Sequence, residues 1–337
     1  MTETLKIIIP MAGWGTRMRP QTWSKPKPLI GVAGKPSFDH LMDMFKTIPD
    51  PKNAEYIFII GPFLGEQIPV YVKKNYPDVK AHYVVQEEMK GQSHALWLAR
   101  HLLSGPTIMV FSDTLLDTDF SFLATEQSDG VAWVKAVPDP RRFGVAEVDK
   151  DGGILRMIEK PQSKENNLAL VGCYYFKKGE DLILAINEQM KRGIQLKGEY
   201  FLVDAINIMI DHGAKMRTNS VDVWLDTGTI EATLETNKYM LEHGRDNSQE
   251  AAQRVGVTVI PPVYIHPTAK VDAAVIGPHV SVSSDCEVSG CVIRNSILDD
   301  GAEVTDSVLD GSFIGRQAKV EGRPRTINIG DNSSVQI

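Results

Sequence analysis

From residue 265 to residue 320, aliphatic side chains recur at Ile265, Val271, Ile276, Val282, Val288, Ile293, Leu298, Val304, Leu309, Ile314 and Val320, at intervals of five or six. Neither the 3.6-residue period of a helix nor the two-residue alternation of a half-buried strand gives that spacing. A hexapeptide period, with one inward-pointing aliphatic per short strand and three strands to a coil, describes a parallel β-helix. Roughly three coils fit the segment. A small sandwich of short strands is the competing reading, and eleven positions in register count against it.

The first half follows a different rule. Short apolar runs at Leu5–Ile9, Tyr56–Ile60, Thr107–Phe111 and Val131–Val137 read as buried strands, and amphipathic stretches at Phe38–Lys46, Leu64–Lys74 and Ser93–Leu103 read as helices. Strand and helix alternate, which predicts an α/β fold with a mixed, mainly parallel, Rossmann-like sheet flanked by helices. After Val145 hairpin-like pieces appear, with Asp151-Gly152-Gly153 marking a turn. Helices are expected at Lys178–Lys191, Phe201–His212 and Thr229–His243, and the polar stretch Glu242–Arg254 reads as a linker. The expected layout is a catalytic domain over 1–243, a linker over 244–259 and the β-helix over 260–337.

Composition excludes several classes of function. The net charge of −7 argues against broad nucleic-acid binding, which needs Lys and Arg to neutralise phosphates. Cys173, Cys286 and Cys291 have no metal-ligand spacing and form no even set for disulfides, which fits a reducing cytoplasm. Neither a signal peptide nor a membrane span is expected.

After the first strand comes Pro10-Met11-Ala12-Gly13-Trp14-Gly15-Thr16-Arg17-Met18-Arg19-Pro20, and then Lys25-Pro26-Lys27-Pro28. A strand, a glycine loop and clustered cations together suit a polyphosphate, because bare backbone N–H groups and positive charge both face the anion. The loop is not a dinucleotide fingerprint, since Met18 stands where the third glycine belongs, and no Gly-Lys-Ser/Thr follows to make a Walker A. On the glycines alone, a surface turn with a solvated basic run is an equal reading. Phe111-Ser112-Asp113-Thr114 closes an apolar strand, and Trp224-Leu225-Asp226-Thr227-Gly228-Thr229 puts a second carboxylate after another. In open α/β sheets ligands gather at the carboxyl ends of strands, and Mg²⁺ is commonly held by one or two carboxylates plus phosphate oxygens.

The stretch Gly13-Trp14-Gly15-Thr16-Arg17, with Pro20 and a Lys-Pro shortly after, resembles the signature of the sugar-1-phosphate nucleotidylyltransferases. The resemblance covers the glycine loop and about 210 positions beyond it, and its Met-Ala-Gly-x-Gly form is closer to the UDP-glucose pyrophosphorylase version than to the thymidylyltransferase version. It implies that Arg17 and Lys27 contact the triphosphate as catalytic residues, with Ala12, Gly13, Gly15 and Thr16 forming the nucleotide loop; Lys25 is the alternative to Lys27. Gln86, followed by Lys90-Gly91-Gln92-Ser93-His94-Ala95, resembles the base-reading segment, and a glutamine amide can both donate to and accept from a uracil-type edge. Gln86 and Gly91 are thus expected at the base, and Asp113 and Asp226 as ligands of Mg²⁺. Ser112 stands where the family usually has glycine. Lys160 is expected on the sugar-1-phosphate and Glu159 on a sugar hydroxyl, with Gly144 presenting backbone near the sugar and Gly172 and Glu199 completing the pocket.

The resemblance also implies a left-handed hand for the β-helix and subunit contacts through it, hence a homo-oligomer. The expected reaction joins UTP or dTTP to a sugar-1-phosphate, with glucose-1-phosphate first, and releases pyrophosphate. Two other readings are a non-catalytic sugar-nucleotide-binding regulator and acyl transfer by the β-helix. Retention of Arg17, Lys27, Asp113, Lys160 and Asp226 speaks against the first. Three coils, with His266 and His279 lacking any supporting arrangement, speak against the second.

Overall fold

The computed structural model describes residues 3–323, 329 and 334. The chain divides into two compact units, one of residues 1–30 and 36–232, the other of residues 31–35 and the chain from 233 on.

The first unit is built on a nine-stranded sheet. Its strands are β1 (Lys6–Pro10), β2 (Glu55–Ile60), β3 (Lys80–Val85), β4 (Thr107–Val110), β6 (Gly130–Ala136), β7 (Gly144–Val148), β8 (Ile154–Glu159), β9 (Leu168–Phe176) and β10 (Met216–Ser220); β5 (Thr114–Leu116) and β11 (Trp224–Asp226) form a separate antiparallel pair. The main path runs β8-β7-β9-β4-β1-β2-β3, and β6 joins β9 to β10. Strands β4, β1, β2 and β3 are parallel, as the alternating pattern predicts. Strand β9 runs antiparallel to β4, β6 and β7, so the sheet is mixed.

Ile7, Ile8 and Ile9 of β1 are fully buried, as a strand covered on both faces requires. Helices α1 (Ser37–Met44), α2 (Gln67–Asn75), α3 (Gln92–Leu98), α4 (Gly179–Arg192) and α5 (Leu202–Asp211) supply the cover. One core cluster joins Ile8, Ile57 and Met109 of the sheet to Leu96, Leu182, Ile186 and Ile206 of the helices. The amphipathic stretch at Ser93–Leu103 is not one helix: α3 ends at Leu98 and Arg100–Leu102 is a 3₁₀ turn. Helix α6 (Ile230–Met240) follows β11 directly, and the boundary between the units falls inside it.

Among the described residues of the second unit three parallel ladders each hold four strands, beginning at Val257–Val259, Val263–Ile265 and Lys270–Asp272. Paired residues are 16 or 17 apart in sequence, as in Val263↔Val280 and Ile297↔Phe313, which is the five-to-six spacing taken three times. This is the layout of a parallel β-helix, consistent with the expected left-handed one. Among the described residues there are four coils rather than three: the eleven periodic aliphatics already occupy eleven of the twelve strands, and Val257–Val259 adds the one that completes the first coil. The stretch 244–259, read as a linker, accordingly carries that strand and a helical turn at Ser248–Ala251. Ile265, Ile276, Val282, Val288, Ile293, Leu298 and Val304 line its interior.

Candidate active site

A cleft of about 680 Å³ opens at the carboxyl ends of the parallel strands. Three of its walls are the segments that follow β1, β3 and β4. Ala12, Gly13, Gly15, Thr16, Arg17, Lys27, Gln86, Gly91, Asp113, Gly144, Glu159, Gly172, Glu199 and Asp226 all line this one cavity. Lys160 is not among the lining residues. Its ammonium lies 5.1 Å over the Phe201 ring and 3.8 Å from Glu159 Oε1. Lys25 is also absent from the lining and is buried, so between the two lysines Lys27 is the one that faces the cleft.

The two aspartates arrive together because β5 and β11 pair. Asp226 stands opposite Thr114, the residue after Asp113, and Thr227 N–H donates to Asp113 O at 3.0 Å. Both carboxylates converge on Gly228, where an added Cβ would lie 2.6 Å from Asp226 Oδ1 and 3.3 Å from Asp113 Oδ2. Asp226 Oδ1 accepts the Gly228 N–H at 2.6 Å.

Their protonation equilibria are pushed apart. Desolvation raises the Asp113 carboxyl, but the Lys27 ammonium, bonded directly to it, and the Arg17 guanidinium outweigh burial and hold it below the usual range. Burial pushes Asp226 above its usual range and the Asp113 charge pushes it further, against opposition from the Gly228 N–H, Lys27 and Arg17. A partly buried pair of carboxylates, one of them penalised for being charged, is a donor set that one divalent cation would relieve. Among the described residues no group of three or more His, Cys, Asp or Glu could hold a metal. Water and substrate phosphates would complete the coordination of any cation at the pair, as is usual for Mg²⁺.

Gln86 is buried, and its amide is oriented. Nε2 donates to Gly91 O at 3.3 Å and lies 3.2 Å from His94 Nδ1. Burial, and then the Lys90 charge, lower the His94 pKa, which favours a neutral ring whose Nδ1 accepts that bond. The NH₂ group is therefore taken up within the protein, and Oε1 is the atom Gln86 has to offer.

The far wall is the β7–β8 hairpin, in which Glu159 pairs with Gly144. Burial raises the Glu159 carboxyl, Lys160 opposing and Asp204 adding to the rise. Across from it the β9–β6 pairing slips between Leu170 and Tyr174. Gly172 sits in this slip with φ +83°, and a Cβ there would lie 2.3 Å from Phe111 Cδ2. Gly172→Ala is therefore expected to cost about 2 kcal/mol or more, read as a lower thermal midpoint. An unchanged midpoint would show that the strand yields at this point.

Trp14, to which sequence reasoning assigned no role, lines the cleft, as do Arg142 and Phe143, which open the segment Arg142–Glu147 that resembles a sugar-phosphate segment of the family. Trp14 stacks on Phe63 with ring centroids 5.9 Å apart, and both rings are about half exposed. An exposed tryptophan between two loop glycines was the available signal. His266 and His279 of the β-helix contact Thr268, and Asn295 and Glu242, respectively. Among the described residues no helix is long and apolar enough to cross a membrane.

Comparison with known proteins agrees with this geometry. The nucleotidyl transferase family profile matches residues 6–243, and a GMPPB C-terminal domain profile matches residues 259–335. Glucose-1-phosphate thymidylyltransferase of Streptomyces griseus is 27% identical, with 99% of both chains covered. Bifunctional protein GlmU of Methanocaldococcus jannaschii is 32% identical over 70% of this chain, which spans 54% of that protein. Among solved structures, a UDP-glucose pyrophosphorylase complexed with UDP-glucose superposes with a TM-score of 0.59 at 20% identity, over 72% of this chain and 100% of that one, a likeness of fold. With a family match over most of its length and a cleft built from the expected loops, the chain belongs to the nucleotidyl transferase family and is a transferase enzyme.

Proposed function

We propose that this enzyme joins a uracil-type nucleoside triphosphate, UTP or dTTP, to a sugar-1-phosphate, with glucose-1-phosphate first, forming the nucleoside diphosphate sugar and pyrophosphate. The observation that carries this reading is one cavity lined by the glycine loop, the Asp113–Asp226 pair and the Gly144–Glu159 wall. The relatives named glucose-1-phosphate thymidylyltransferase support the reaction, and the Met-Ala-Gly form of the loop tilts the base towards UTP.

A sugar-1-phosphate is mostly dianionic near neutral pH, so its oxygen is already a nucleophile and needs no general base. The task is to bring two polyanions into line and to stabilise charge moving onto the leaving pyrophosphate. Arg17 and Lys27 would take that charge, Lys160 would swing from Glu159 to the sugar phosphate, and Glu159 would receive a sugar hydroxyl. Mg²⁺, held by Asp113 and Asp226, would neutralise phosphate oxygens. Ala12, Gly13, Gly15 and Thr16 would wrap the triphosphate, and Gly172 and Glu199 would close the sugar end. The enzyme is read as cytoplasmic and as a homo-oligomer assembled through the β-helix, with a catalytic domain over 1–243.

The orientation of Gln86 sharpens base choice. An acceptor Oε1 suits the N3–H of uracil or thymine and opposes cytosine and adenine, whose corresponding ring nitrogens are acceptors. Pyrophosphate release measured with several triphosphates against several sugar-1-phosphates tests the proposal. Release is expected with UTP or dTTP, with CTP and ATP at background. Gln86→Leu should lower kcat/KM for the preferred triphosphate by about 10- to 100-fold, the cost of leaving a buried donor unmet. Equal use of CTP would contradict this reading of the base site.

A further inference from the structure

Two stretches of chain run on from the ionic centre of the cleft, one after Lys27 and one after Asp226. We propose that Asn237 is a positioning residue for the reaction, clasping these two stretches together; the inference rests on the function proposed above. After the 3₁₀ turn Lys27–Leu29 the chain forms a tight hairpin, Gly31–Val32 against Lys35–Pro36. Its base is fastened by Ser37, whose N–H donates to Ile30 O at 2.9 Å and whose hydroxyl donates to Pro28 O at 3.0 Å. Its tip is fastened by Asn237, which accepts the Ala33 N–H at 2.9 Å. Residues 31–35 accordingly group with the compact unit that starts at 233, and not with the chain on either side of them.

Asn237 lies on α6, the helix that begins just beyond Asp226. It is fully buried, and both ends of its amide are engaged. Oδ1 also accepts the Ser281 hydroxyl at 2.6 Å, and Nδ2 donates to His279 O at 3.2 Å. An apolar side chain could fill this space, but it would strand the Ala33 N–H, the Ser281 hydroxyl and a carbonyl, each costly when buried. Next to Ala33, Gly34 lies at φ +88° flat against the Tyr264 ring, where a Cβ would come within 2.6 Å of the ring carbons. The hairpin is thus fastened at its tip as well as at its base. Lys27 and Asp226, which come from opposite ends of the catalytic sequence, leave into segments joined by one hydrogen bond.

The test is Asn237→Ala, read by calorimetric binding of UTP with Mg²⁺ and by steady-state kinetics. Misplacing Lys27 and Asp226 should weaken UTP binding by about tenfold and lower kcat, while KM for glucose-1-phosphate stays within about twofold. Asn237→Asp keeps the acceptor for Ala33 and Ser281 but loses the donor to His279 O, so it should restore part of the loss, and more of it at low pH, where the carboxyl carries a proton. A lower unfolding temperature with wild-type UTP binding and kcat would overturn the proposal and leave Asn237 a packing residue. Should Asn237→Ala not fold, Gly34→Ala, strained at φ +88° and pressed against Tyr264, must give the same split; wild-type UTP binding and kcat in a folded Gly34→Ala would overturn the clasp. Wild-type protein that forms no sugar nucleotide refutes the reaction alone, because the clasp is still read in UTP affinity. Wild-type protein that binds no triphosphate overturns both.

Discussion

Asp226→Asn is expected to lower turnover by at least about a thousandfold while leaving the fold intact, the scale of removing a group that holds charge at the reacting phosphates. The direction of its effect on stability is also set. Burial and the Asp113 charge raise the Asp226 pKa, so in the folded protein the charged form is penalised as pH rises through that raised value. The amide removes the penalty. In the presence of a chelator the variant should therefore unfold at an equal or higher temperature than wild type at pH 7, and the gain should shrink as pH falls through that raised value, where wild-type Asp226 takes up its proton. Activity and thermal midpoint measured together make the check. Wild-type turnover would remove Asp226 from the metal site, and a lower midpoint at neutral pH would contradict the electrostatic account.

Lys27→Met should act in the opposite sense on stability and in the same sense on activity. Lys27 bonds Asp113 directly, and both side chains are mostly buried. Its charge, with that of Arg17, keeps the Asp113 carboxyl below its ordinary value of 3.8. A group with a depressed folded pKa contributes stability that is present above the unfolded pKa and is lost as pH falls through the folded one. The variant should therefore be less stable than wild type at pH 7, by about 1–3 kcal/mol, and the difference should narrow as pH falls below about 4. Turnover should fall by roughly a hundred- to a thousandfold, as for loss of one preorganised donor. Unfolding midpoints across pH, set beside kcat/KM, separate the two roles. A stable but inactive variant would mean that the ion pair carries no structural weight. An unstable but fully active one would mean that Lys27 never meets the triphosphate.

Much of this site was legible in the sequence because its parts are local. The glycine loop, the strand-terminal aspartates and the Glu159-Lys160 pair are each short motifs, and all but Lys160 line the cleft. The five-to-six aliphatic period gave the β-helix for the same reason, since each turn of the coil repeats one local rule. What was not legible depends on pairing at long range. The strand that completes the first coil was missed because Val257–Val259 takes its place only through its partner at Ala274–Ile276. The Lys27–Asp113 bond joins residues 86 apart, and no motif announces it. Likewise Gln86 looked like a group that both donates and accepts, until His94 and Gly91 were seen to take its NH₂. The attachment of residues 31–35 to the later unit is the extreme case, since nothing in Gly31-Val32-Ala33-Gly34-Lys35 points to Asn237.

The central claim is that this chain transfers a nucleotidyl group to a sugar-1-phosphate, and ³¹P NMR of one mixture tests it most directly. With UTP or dTTP, glucose-1-phosphate, Mg²⁺ and the enzyme, the account predicts loss of both substrates with equal appearance of a nucleoside diphosphate glucose and pyrophosphate. Triphosphate and sugar phosphate left intact, or release of inorganic phosphate without a sugar nucleotide, would contradict it.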